Sequence, residues 1–234
     1  MPVPARTRTT ETPRTLLPDL VYDNLLTLVI SGDLAPGELL REEEIAAWLD
    51  VSRTPVRDAI TRLRDQGLVV YRPNRGTRVA EIDLDQARAI GQTLAALHGM
   101  AARLALPNLT PDDIQHIRDL IADPADLTDQ LNAGPVQVTA VQRILQIFRE
   151  RSGNPVLDEA IRRLQPHMTR LRGLTSDEMP RDWVRERGGA ALTAIDAGSP
   201  ELIGQLMQGF FLTFSENLLA EASQQLGLPL TPAS

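Results

Sequence analysis

Between Arg53 and Arg78 the chain places seven arginines (Arg53, Arg57, Arg62, Arg64, Arg72, Arg75 and Arg78) against two acids, Asp58 and Asp65, a local charge of +5. A guanidinium is a planar fork of donors: it grips a phosphate, or bonds guanine O6 and N7 together. The chain as a whole is acidic, with a formal charge of −7, and all 24 of its basic residues are arginine. Residues 1–15 hold three arginines against one acid, residues 16–80 eight against ten, and residues 81–234 thirteen against twenty. A short basic stretch inside an acidic protein is the footprint of a localised polyanion contact. A solvated helix whose arginines pair with neighbouring acids has the same charge, so the surrounding pattern has to decide.

Other chemistries are poorly supplied. The chain has no cysteine, hence no disulfide, thiolate nucleophile or iron–sulfur ligand, and only three histidines, His98, His116 and His167. It offers no glycine-rich phosphate loop and no nucleophile–base constellation, so an enzyme is not expected. With 42% apolar and 24% charged residues it reads as globular. No uncharged apolar run approaches the ~18 residues of a membrane span. The first residues, MPVPARTRTTETPR, lack the apolar core of a secretion signal, so a cytoplasmic protein is expected, on the nucleoid when bound to DNA.

The elements that would carry the arginines follow from periodicity and breakers. After a flexible tail over 1–15, Leu17, Leu20, Val21, Leu25, Leu28 and Val29 recur at helical spacing up to Gly32. Pro36-Gly37 marks a turn, and a second helix over 42–49 turns Ile45, Ala46 and Leu49 inward. Ser52 is placed to cap a third helix over 54–66, with Pro55 in its first turn and Gly67 stopping it. The β-prone runs 68–72 and 77–80 flank Pro73-Asn74-Arg75-Gly76, a hairpin signal. Three helices and a hairpin describe a winged helix-turn-helix over 16–80. The third helix then presents Ser52, Arg53, Thr54 and Arg57 to a major groove, and the wing presents Arg72, Asn74, Arg75 and Gly76.

The run GDLAPGELLREEEIAAWLDVSRTPVRDAITRLRDQGLVVYRPNRGTRV resembles the DNA-binding domain of the GntR family of bacterial transcription regulators. The SRTPVRDAI core, the Pro-Gly turn, the exit Gly67-Leu68-Val69 and the wing tip Arg75-Gly76 carry the match. The resemblance implies that Arg53, Thr54, Arg57 and Gly76 contact DNA. One position departs: where some members place a DNA-contacting arginine early in helix two, this chain has Glu43.

From residue 81 to 228 the pattern is helical throughout, with helices expected over 84–106, 111–122, 135–151, 155–173, 181–197 and 200–226. Asp83 with Gln86 has capping-box spacing, and Thr110-Pro111 and Ser199-Pro200 are helix starts. The fold class expected is therefore mainly α: a winged helix-turn-helix, then an all-α bundle of six or seven helices, with a C-terminal tail over 229–234. This half is similar to the effector domain (FCD type) of the FadR branch of the same family. The features that carry it are Ala101-Ala102-Arg103-Leu104-Ala105, Ser152-Gly153-Asn154-Pro155, Ala194-Ile195 with Ala197-Gly198, and Met207.

Many members of that branch hold a divalent metal through one Asp and three His, and the metal holds a small carboxylate. Here those positions fall on Val141, Leu145, Gly188 and Phe210, none of which ligates a metal. The carboxylate-binding arginine falls on Leu94 and an accompanying glutamate on His98. No metal or other cofactor is expected. Two readings of the loss fit the composition: a packed core without ligand, or an apolar cavity for an uncharged effector, lined by Leu94, His98, Val141, Leu145, Gly188, Phe210 and Phe214. His98 then orients a ligand or satisfies a neighbouring carbonyl. Gly188-Gly189 inside a helix marks a close contact, a kink or a mobile segment. Trp48 and Trp183 are expected to pack, and His116 and His167 to face solvent.

The function expected is a dimeric, sequence-specific transcription regulator, a repressor or an activator. Its partners are a short palindromic duplex operator, a second copy of itself and a small effector or none, with no membrane. The alternative is a ligand-binding protein or enzyme keeping a remnant helix-turn-helix.

Overall fold

The computed structural model describes residues 17–122, 140–175 and 181–231. The expected tail 1–15, the first turn of the helix expected over 135–151, and residues 232–234 lie outside them. The chain divides into two compact units, one holding Asp33–Glu81 with the helix before it up to Val29, the other running from Ile82 and taking in Ile30–Gly32.

In the first unit α1 (Leu17–Ser31), α2 (Glu42–Leu49) and α3 (Arg53–Asp65) precede a hairpin of β1 (Val69–Arg72) and β2 (Gly76–Val79). The apolar stripe of α1 becomes one wall of a core in which Val21, Leu25 and Val29 meet Val56, Ala59, Ile60 and Leu63 of α3 and Leu68, Val69 and Val79 of the wing. Asp50 closes α2 in the left-handed region, and Gly67, at φ +80°, turns the chain out of α3. The hairpin is antiparallel in the register Val69↔Val79 to Arg72↔Gly76. Asn74 and Gly76 take positive φ at its tip. The stretch after Pro36 also joins the wing. Gly37 donates to Val79 O, Leu40 to Thr77 O, and Val79 back to Glu38 O, at 2.9–3.0 Å. The Pro36-Gly37 signal predicts only a turn here; the added backbone bonds are a tertiary feature.

The second unit is helical among its described residues: α4 (Leu84–Ala105), a short 3-10 turn (Leu106–Asn108), α5 (Pro111–Ala122), α6 (Ala140–Arg151), α7 (Pro155–Gly173), α8 (Arg181–Asp196) and α9 (Pro200–Leu226). Caps set the starts. Asp83, Asn154 and Ser199 accept from the backbone N–H three residues on, and Thr110 and Asp113 bond each other reciprocally. Ser52 differs: it sits at the N-cap of α3 in extended backbone, but its hydroxyl makes no cap bond.

The long seam joins α4 to α9, which cross at glycines. A Cβ on Gly99 would lie 2.8 Å from the Gly204 carbonyl, and one on Gly204 3.1 Å from the Gly99 carbonyl. Leu94 and Ala101 of α4 and Ile203 and Leu218 of α9 are buried along these two helices. The chain stays attached beyond the expected end of the domain: Leu228 and Leu230 pack on this core, and Thr231 donates to both oxygens of Asp85 and accepts from Arg88.

Candidate functional site

α3 buries one face (Pro55, Val56, Ala59, Ile60 and Leu63) and exposes the other, where Arg53, Arg57 and Arg64 recur at helical spacing beside Thr54. Arg72, Asn74 and Arg75 are exposed at the wing tip, and Gly76 beside them is half-buried. Gly76 lies at φ +73°, and a Cβ there would come to 3.0 Å from Leu39, so the tip needs glycine. Arg78 faces inward, donating to Gly37 O at 2.7 Å and Arg75 O at 3.1 Å, and so braces the wing. Arg62 lies 3.9 Å over the Tyr22 ring and bonds Asp19 at 2.7 Å, an anchor between α3 and α1. Two of the seven arginines are thus occupied by the fold.

The two leading groove candidates are themselves paired. Arg53 meets Glu43 at 2.9 Å and Arg57 donates to Glu42 at 3.0 Å, both acids standing in the first turn of α2. Glu44, next along, pairs with Arg41 instead. The resemblance alone marks Glu43 as the position of a missing arginine contact and not as a partner of Arg53. The signal that could have found the pairing is the run Glu42-Glu43-Glu44, placed by the short turn opposite the start of α3.

In the second unit the four positions aligned with metal ligands do come together. Val141, Leu145, Gly188 and Phe210 line one cavity of about 50 Å³ with Ile121, Val184 and Met207. Its lining offers no imidazole or carboxylate, so these residues do not fit a metal. A second cavity of about 40 Å³ adjoins Val141, Leu145, Phe210 and Phe214, and also carries Gln142, Gln165, Thr169 and Arg172. Both are far below the roughly 300–1,000 Å³ of ordinary ligand pockets. Among the described residues no group of three His, Asp or Glu could hold a metal ion.

Two expected lining residues are not there. Leu94 is packed in the α4 core and His98 is buried behind the second cavity, lining neither of these two spaces. His98 stacks on Phe211 with ring centroids 4.1 Å apart, and its Nε2 lies 3.1 Å from Gln165 Oε1, so the carbonyl it satisfies is a side-chain amide. Burial, the main cause, and the Arg149 charge push its pKa down to about 4 against the Gln165 bond, so it is neutral. Gly188 marks a close contact: a Cβ would lie 2.8 Å from Ile121. Trp183 packs against Phe210, while Trp48, expected to pack, is 59% exposed because α2 buries only Ala46 fully. His116 is exposed and His167 half-buried.

This arrangement defines a winged helix-turn-helix protein with a helical second domain, and comparison with known proteins places it further. The model of the bacterial regulatory proteins of the gntR family matches residues 18–79, and the FCD domain matches residues 89–212. A probable D-xylose utilization operon transcriptional repressor of Paenarthrobacter nicotinovorans is 30% identical over 81% of this chain and 83% of its own length. McbR of Escherichia coli is 32% identical over 58% of this chain, a stretch spanning 62% of that regulator. The solved structure of E. coli McbR/YncC superposes with a TM-score of 0.71 at 25% identity, covering 90% of this chain and 98% of that one. A putative GntR regulator from Rhodococcus sp. RHA1 shares the fold with a TM-score of 0.66. The chain belongs to the GntR family of transcription regulators, in the branch with an FCD domain. No helix among the described residues is long and apolar enough to cross a membrane.

Proposed function

We propose that this regulator works as a homodimer on a short palindromic operator, reading each half-site with α3 and gripping its flanks with the wing. Arg53 and Arg57 make the base and phosphate contacts, Ser52 and Thr54 fix the backbone, and Arg72, Asn74, Arg75 and Gly76 serve the wing. The observation that carries the reading is the two-faced α3, locked into a core on one side and presenting Arg53, Arg57 and Arg64 on the other. The naming of the Paenarthrobacter relative as a repressor supports repression as the output.

The FCD domain acts without a metal. An effector reaching the Val141–Phe210 region meets mainly phenylalanine and aliphatic surface, with Arg187 on one cavity and Gln142, Gln165, Thr169 and Arg172 on the other, so its body is apolar and any polar end meets those groups. The small cavities equally support a core that takes no effector. The test is selection from a randomised duplex library, followed by competition binding. Wild type should enrich an inverted repeat, and Arg53→Ala with Arg57→Ala should abolish the preference. Binding without any sequence preference, or a double variant that keeps it, would overturn the reading.

A further inference from the structure

We propose that Glu43, with Glu42 beside it, is a selectivity residue of the DNA site: a carboxylate that aims the Arg53 fork and withholds its charge from phosphate. The proposal rests on the reading of α3 as the recognition helix. Both acids stand on the first turn of α2, within 3.0 Å of the guanidinium each serves. They face the part of α3 that reaches deepest into a groove, because recognition helices read bases with their N-terminal residues.

A free guanidinium binds any phosphate, and that sequence-independent attraction is what populates wrong sites. Paired with Glu43, Arg53 presents no net charge at a distance, and the carboxylate repels a backbone approaching out of register. The pairing need not break on the right sequence. A guanidinium has five donors, and a bidentate contact to guanine O6 and N7 uses two, leaving others for Glu43. Glu43 therefore orients the fork on the operator and subtracts affinity everywhere else. Arg57 and Glu42 repeat the device one turn further along α3. Nothing structural requires the Glu43–Arg53 pair, since both side chains are about 60% exposed.

Glu44 supplies a charge-matched control on the same turn, because it is equally acidic and exposed but pairs with Arg41, off α3. The full-length protein and its variants are titrated at several salt concentrations against two duplexes of equal length. One is selected by the wild type from a random library, the other is of random sequence. Glu43→Gln should bind the random duplex about five-fold more tightly, with a salt slope steeper by about 0.9, one released counterion. Its affinity for the selected duplex should stay within about two-fold or fall, so the ratio of the two affinities drops about five-fold. Glu44→Gln should leave that ratio unchanged, and Glu43→Gln should no longer alter it once Arg53→Ala is present. An unchanged ratio in Glu43→Gln, an equal drop in Glu44→Gln, or an effect that persists without Arg53 would overturn the proposal. A wild type with no preference between the duplexes would overturn the recognition reading beneath it, and the proposal with it.

Discussion

His98 shows how one residue ties burial to pH. Its ring is 2% exposed, stacked on Phe211 and bonded to Gln165, and it is held neutral down to about pH 4. An unfolded chain takes up a proton on the same ring near 6.5. The folded protein thus has its full stability above about 6.5 and loses it as the pH falls toward 4, where the native ring begins to charge as well. The gap corresponds to roughly 3 kcal/mol over that window. Thermal denaturation at pH 7.5 and 5 should show a smaller Tm loss for His98→Gln than for wild type. Equal losses would remove His98 from the account. Acid loss from Asp113, which hydrogen bonds from Arg151 hold at about 2, falls at lower pH and leaves this window clear.

At the scale of elements, the α4–α9 seam depends on the absence of side chains. At Gly99 an added methyl meets the Gly204 carbonyl, which belongs to backbone and cannot swing away. Gly99→Ala should cost about 1–3 kcal/mol despite the better helix propensity of alanine, read as a lower midpoint in urea. Gly189→Ala, with nothing within 4 Å of the new methyl, should be neutral or stabilising. A Gly99→Ala midpoint at or above wild type would contradict the close crossing. The seam was not legible in the sequence, because Gly99 and Gly204 lie far apart in the chain and glycine inside a helix has several causes. Helix starts were legible, since a cap and its partner lie three residues apart. The exposed arginine face of α3 was legible for the same reason: Arg53, Arg57 and Ala59 report their sides through local period alone. The joining of residues 37–40 to the wing and the exposure of Trp48 are tertiary facts without a local signature, and the pairing of Arg53 with Glu43 has only the acidic run Glu42-Glu43-Glu44 as its trace. The resemblance sets Leu94 and His98 on a cavity wall, but the position of a side chain behind or beside a space is set by its neighbours on other helices.

At the scale of the molecule, the two units divide charge and chemistry. The first carries the arginine face within an acidic protein, and the second carries a core in which Val141, Leu145, Gly188 and Phe210 line one small cavity. With no donor among them, added zinc or nickel should leave the Tm of the full-length protein unchanged, as should chelation. A rise of several degrees at equimolar metal would contradict the donor set, since a native-state site stabilises by mass action. On the proposed reading, the acidic charge of the second unit disfavours DNA association away from the α3 face. The central claim is that α3 reads sequence through Arg53 and Arg57, and the most direct measurement is the ratio of affinities for the selected and random duplexes. The account predicts a ratio of about a thousand or more for wild type, collapsing toward one when both arginines become alanine. A double variant that keeps the wild-type ratio would contradict it.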